Sequence, residues 1–197
     1  MVGGTGDFRG SFPCAPSAQF TRASAEAFAS RCGGGHRGYR AGETRRGSIP
    51  GLPRSEARVT VTVDINILLD VFRQRAPHYA MSAQVVNMIA TGTLDGVCPA
   101  HGLTTIYYLL RKHASKPDAE TAVDRVLRHF QIGNLDATGW RDARLLPFRD
   151  FEDAAVATVA KVSGSAFIVT RNVADFAGSP VPAIAPADFL SQLTAQP

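Results

Sequence analysis

The side chains with the clearest capacity for chemistry are acids at the ends of apolar runs. Asp64 closes V-T-V-T-V-D, Asp150, Glu152 and Asp153 crowd R-D-F-E-D-A, and Asp175 follows F-I-V-T within T-R-N-V-A-D-F. Carboxylates brought together repel, and a divalent cation is the usual remedy. Hard Mg²⁺ or Mn²⁺ takes oxygen ligands and keeps several waters, so two or three carboxylates suffice. A cation held this way can activate water and stabilise charge on a scissile phosphate. Each acid also has a plainer role. Asp64 can cap the next helix, unless Asn66 is the cap and leaves Asp64 free. Asp150 and Asp153 have capping-box spacing, and acids suit a helix amino end. Asp175 can serve a loop turn. Three acids at one helix start exceed what capping needs, so Asp153 is the one expected to project towards a sheet edge.

These acids must be positioned by the elements around them. Val59, Val61 and Val63 alternate with Thr60 and Thr62, the period of a strand. Helical spacing follows over 67–73 and 78–90, then a short apolar strand over 96–99 and a helix over 101–113. Pro117 opens another helix, in which Ala119, Ala122, Val123, Val126, Leu127 and Phe130 recur at helical intervals. A strand is expected over 132–137, a small-residue helix over 151–162, a buried strand over 166–170, a short strand over 183–185 and a closing helix over 186–193. Ala154, Ala155, Ala157 and Ala160 would let the helix over 151–162 lie close to a sheet. Strands alternating with helices imply an α/β fold with a mostly parallel sheet covered on both faces. Ligands of such sheets bind beyond the carboxyl ends of the strands, where Asp64 and the segment 171–175 fall.

Composition separates this domain from what precedes it. Residues 1–57 carry eight Arg and four acids, and the remaining 13 basic side chains are matched by 13 acids, so the net charge of +4 belongs to the amino-terminal part. The pI near 9.2 therefore describes residues 1–57, not the domain. That part is rich in Gly, Arg, Ser and Pro and too poor in apolar surface to offset chain entropy, so it is expected to be a disordered tail before a domain over 58–197. A shorter start at Val59 or Val61, read from a GTG codon, is the alternative, and the intact mass of the native protein tests it. Cys14, Cys32 and Cys98 lack disulfide or zinc spacing, which fits a reducing cytoplasm. No run of about 18 apolar residues suits a membrane. The five histidines form no metal-binding pair, and residues 58–197 hold no glycine-rich phosphate loop. Tyr107 and Tyr108 read as packing residues, although one could stack on a base.

Three segments together resemble the PIN-domain family. V-T-V-D-I-N-I-L-L-D-V is similar to its opening strand and D-x-N motif, D-F-E-D-A to its helix-start aspartate, and F-I-V-T-R-N-V-A-D-F to its closing motif. The match runs in order over about residues 59–193. The resemblance implies a three-layer α/β fold and a metal-dependent endoribonuclease, of the kind found as the VapC-type toxin of a toxin-antitoxin pair. It implies Asp64, Asp153 and Asp175 as catalytic acids and ligands of Mg²⁺ or Mn²⁺. Asn66, Thr105, Thr170 and Asn172 would stand behind them, and Arg73, Arg75, Arg111, Lys112 and Arg171 are the candidates for RNA phosphates. Implied partners are RNA and a cognate antitoxin protein. A homodimer is compatible with the family, and no interface is marked in the sequence.

One departure stands out. Family members usually carry a glutamate early in the middle helix, where this chain has Thr105. A hydroxyl supplies no negative charge, and Asn172 is also neutral where a further acid often stands. Weaker metal binding follows, with Glu152 or Asp150 as partial compensation. A second reading is accordingly an inactive PIN-like module that binds RNA or an antitoxin without cleavage. A third, in which Asp64 accepts phosphate, expects a lysine at a later strand end, where Arg171 stands instead.

Overall fold

Val59, Val61 and Val63 are all buried, and the strand they build, β1 (Thr60–Val63), is the centre of a five-stranded parallel sheet. The computed structural model describes residues 58–195; the expected tail over 1–57, with Cys14 and Cys32, lies outside them. In chain order β1 leads to α1 (Ile65–Phe72), α2 (Tyr79–Ala90), β2 (Asp95–Pro99), α3 (Ala100–His113), α4 (Lys116–His129) and β3 (Gln131–Gly133). Then follow α5 (Ala137–Leu145), α6 (Phe151–Val162), β4 (Phe167–Val169), a 3-10 turn (Val173–Phe176), β5 (Ala183–Ile184) and α7 (Pro186–Thr194). The strand order is β3-β2-β1-β4-β5. The chain thus builds outward from β1 on one side, then returns to build on the other, which makes the β1–β4 gap the topological switch point.

Both faces of the sheet are covered, as a parallel sheet requires. Val61, Val63 and Val169 join the larger apolar cluster with Ile67, Leu68, Ile106 and Phe189 from the helices. Ile168 faces the other way, into a smaller cluster with Val156, Ala157 and Ala160 of α6 and with Phe176. Thr62, alternating with the valines, is therefore buried too, and its hydroxyl pairs with that of Ser165 at 2.8 Å. In α4 the expected stripe is buried at Ala119, Ala122, Val126 and Phe130, while Leu127 is exposed.

The small residues of α6 do what their size allows. Ala154, Ala155, Ala157 and Ala160 are buried, and a Cβ built on Gly133 of β3 would collide with Val159 of α6 and Val97 of β2. Gly133→Ala is therefore expected to cost about 1–3 kcal/mol through overpacking, read as a lower urea midpoint; a midpoint equal to the parent's would contradict this packing.

One expected element differs. The strand expected over 132–137 stops at Gly133, and residues 137–145 form α5, started by Asp136, whose Oδ1 accepts from the Gly139 amide at 2.8 Å. The capped amide outweighs a weak apolar pattern, since α5 buries only Gly139 and Ala143.

Candidate acidic site

The β1–β4 register aligns Val63 with Val169, so the next residues, Asp64 and Thr170, meet at the carboxyl edge of the sheet. The Asp64 amide continues the ladder, donating to the Val169 carbonyl at 3.0 Å. The carboxylate then divides its work. Oδ1 caps α1 by accepting from the Asn66 amide at 3.3 Å, and Oδ2 accepts from Asn66 Nδ2 and from Thr170 Oγ1, both at 2.7 Å. Capping and a place in the cleft are thus not alternatives for Asp64. Thr170 Oγ1 in turn accepts from Asn66 Nδ2 and from the Asn172 amide, each at 3.1 Å, and Asn66 Oδ1 accepts from the Arg171 amide at 3.4 Å. Every neighbour donating to Asp64 is neutral, and the side chain is only 7% exposed. Burial accordingly pushes its pKa up, outweighing the lowering by Thr170, Asn66 and the Arg171 charge.

α6 runs back from this edge towards the start of β4, so its first turn lies beside Asp64. Asp150 is the cap, its Oδ1 accepting from the Glu152 amide at 2.8 Å. Asp153 is left to face other acids. Its pKa is pushed up to about 6, first by partial burial and then by the charges of Asp64, Asp150, Asp175 and Glu152. Glu152 is raised by burial, Asp64 and Asp150, and its Oε1 is buried without a hydrogen-bond partner. Asp175 lies exposed in the 3-10 turn beyond β4. The acids thus feel one another across the cleft. Among the described residues, however, no three Asp, Glu, His or Cys side chains close around a single ion position. The donor set suits a hard cation chemically, all oxygen and short of positive charge, but is not a finished three-ligand shell.

The remaining site residues fall into two groups. Asn66 and Thr170 touch Asp64 directly. Thr105 is half-buried and turns its hydroxyl back to the His101 carbonyl of its own helix at 3.4 Å, while the exposed Asn172 contributes its backbone amide. Of the candidate RNA contacts, Arg171 has a second partner inside the domain. Its Nε lies 3.3 Å from Asp70 Oδ2, and Asp70 is 0% exposed, so this cation turns inward to answer a buried charge. Arg73 and Arg75 follow the far end of α1, roughly 12 Å of helix from Asp64. Arg73 lines a cleft of about 280 Å³ with Leu110, His113, Asp118 and Arg125, whose lining includes none of Asp64, Asp153 and Asp175. Arg111 and Lys112 occupy the last turn of α3.

Two features escaped the sequence reading. Asp70 also accepts from Ser82 Oγ at 3.2 Å, so it ties α1, α2 and the segment after β4 together; the only sign was one acid inside the apolar run I-L-L-D-V-F. His101, at the start of α3, lies edge-on to Trp140 of α5 at 5.9 Å, its Nε2 buried and without a hydrogen-bond partner. Burial lowers its pKa. Cys98 is buried as well, and desolvation pushes its thiol up to about 12, which makes it inert.

A three-layer parallel α/β domain with acids collected at its switch point is the class these features define. The chain belongs to the PIN-domain family, whose profile matches residues 60–174, more than half its length. It is 26% identical over 117 residues to "Ribonuclease VapC1" of Aquifex aeolicus, covering 57% of this chain and 81% of that protein. Its fold is similar to that in the crystal structure of VapBC2 from Rickettsia felis bound to a promoter DNA fragment. There the TM-score is 0.52 and the identity 15%, over 64% of this chain and 98% of that one. DNA-bound VapBC from Salmonella typhimurium gives a TM-score of 0.51 at 14% identity, covering 65% and 98%. Among the described residues no helix is long and apolar enough to cross a membrane.

Proposed function

We propose that this protein is a metal-dependent endoribonuclease and the toxin component of a toxin-antitoxin pair. The observation that carries the reading is the mutual repulsion centred on Asp153, built by the fold at the place where a parallel sheet binds ligands. Membership of the PIN-domain family and similarity to a protein named as a ribonuclease support it. Asp64 and Asp153 would hold Mg²⁺ or Mn²⁺, with Asp175 completing the set from the mouth of the cleft. A cation there would neutralise the scissile phosphate and promote attack by water. Asn66 and Thr170 fix the Asp64 carboxylate by three donors and so set its orientation before any ligand arrives. Glu152, whose Oε1 is buried without a hydrogen-bond partner, would partly offset the charge that Thr105 lacks. The partner would be a cognate antitoxin, as in the VapBC complexes whose fold this chain shares.

The test is incubation of mixed RNA with the full chain, with Mn²⁺ or with EDTA, by parent and by Asp64→Asn. Cleavage only by the parent with Mn²⁺ is the expected result; equal cleavage by both, or none by either, contradicts it, the latter favouring a binding module. Thr105→Glu adds the missing carboxylate and is expected to tighten Mn²⁺ binding roughly 10-fold, the order of one favourable charge contact. Unchanged affinity in a calorimetric titration would show that position 105 does not face the ion.

A further inference from the structure

Beside the acidic cleft lies an aromatic patch that neither the fold nor the acids require. Phe151, the first residue of α6, is 51% exposed, and Trp140 of α5 is 37% exposed; their rings lie 5.7 Å apart at 46°. His101 meets the indole edge-on at 5.9 Å, a contact that favours the observed orientation of the ring before a ligand arrives. His101 stands two residues beyond the end of β2, so the patch gathers at the same carboxyl edge of the sheet as Asp64.

The charges around the rings are sorted. Arg144 is one helical turn after Trp140 and shares its face, while Asp142, two residues on, points to the opposite side. Arg149 precedes the cap of α6. Both arginines are exposed, and among the described residues neither enters an ion pair with a side chain. The nearby acids Asp136 and Asp150 are occupied as helix caps. Exposed aromatic faces flanked by free guanidinium groups are the pattern for unpaired nucleotides, bases stacking on rings and phosphates meeting cations.

We infer that Trp140 and Phe151 form a stacking platform for an unpaired RNA base next to the acidic cleft, with Arg144 and Arg149 contacting the adjoining phosphates. The inference rests on the reading of RNA as substrate and adds where one unpaired base is seated, on Trp140 of α5 and Phe151 of α6. Trp140 is the sole tryptophan of the chain, so its fluorescence reports on the platform, whereas the eight arginines of residues 1–57 would blur any bulk affinity.

The experiment titrates the full chain, in EDTA so that RNA stays intact, with a short single-stranded RNA and with the same RNA annealed to its complement. Saturable quenching of Trp140 by the single strand and none by the duplex is expected. Phe151→Ala should weaken the quenching isotherm roughly 10-fold. By anisotropy of labelled RNA, read with excess unlabelled duplex to occupy the arginines of residues 1–57, Trp140→Ala should weaken binding similarly and Trp140→Phe should retain most of it. Absent quenching, equal quenching by duplex, or parental affinity in Phe151→Ala and Trp140→Ala would overturn the inference; emission that changes only on mixing with a protein partner would overturn it too and assign the patch to that partner. The two readings fail separately. Quenching without Mn²⁺-dependent cleavage leaves the platform and removes the nuclease, while cleavage without quenching does the reverse.

Discussion

Asp153→Asn is expected to abolish Mn²⁺-dependent RNA cleavage while making the metal-free protein more stable above pH 6. The loss should exceed the roughly 10–100-fold that supporting residues around a metal cost when removed, because Asp153 would touch the ion itself. The gain in stability follows from the sign of its pKa shift. The folded pKa is about 6, whereas an unfolded aspartate titrates near about 3.9. For an acid raised in this direction the folded state binds the extra proton, so the ionised carboxylate destabilises the fold fully above pH 6, and the penalty disappears as the pH falls below the unfolded value. Asn removes that penalty. Its advantage in melting temperature should be present at pH 7.5 and absent at pH 3.5. The side chain is partly exposed, so solvent screening keeps the gain small. A variant that is inactive and less stable at pH 7.5 would instead mark Asp153 as a structural cap or packing residue. Stability given up for charge repulsion is what a binding site costs its scaffold.

The second large effect concerns Arg171 and Asp70. Arg171→Ala leaves the Asp70 carboxylate inside α1 with no cation and only the Ser82 hydroxyl donating to it. Breaking a buried pair on one side costs about 3–5 kcal/mol, so the urea midpoint of Arg171→Ala should fall steeply. The double variant Asp70→Leu with Arg171→Leu should recover most of the loss, since apolar replacement of a buried pair is often neutral or stabilising. A loss within about 1 kcal/mol, as for an exposed ion pair, would contradict the assignment. The pair also has a positional consequence. Arg171 follows Thr170 and precedes the turn that carries Asp175, so its tether to α1 holds that turn against the domain. Even the apolar double variant, folded and stable, should therefore bind Mn²⁺ less tightly than the parent.

How far the sequence could be read follows from the range of the interactions. β1 was legible because strand period is local, and α6 because D-F-E-D-A-A-V-A combines a cap, first-turn acids and small apolar residues within 8 positions. The meeting of Asp64 with Thr170 followed from strand-end logic once a parallel sheet was inferred. α5 was not legible: A-T-G-W-R-D-A-R-L contains Gly139 and no apolar stripe, and its start depends on one capping bond from Asp136. Nor was the pairing of Arg171 with Asp70, which joins residues far apart in the chain by burial alone. The place of Arg171 at a strand end made it a candidate for RNA phosphates, and nothing local signalled that its Nε also answers Asp70. The side-chain directions of Glu152 and Thr105 likewise depend on how α3 and α6 lean against the sheet, which no spacing encodes.

The most direct measurement is the Mn²⁺-binding isotherm of the full chain beside those of Asp64→Asn, Asp153→Asn and Asp175→Asn. One ion per chain is expected for the parent, with severe loss in the first two variants and a smaller loss in the third, whose carboxylate sits at the mouth of the cleft. Isotherms for Asp64→Asn and Asp153→Asn that overlay the parent's would mean that these carboxylates do not share an ion.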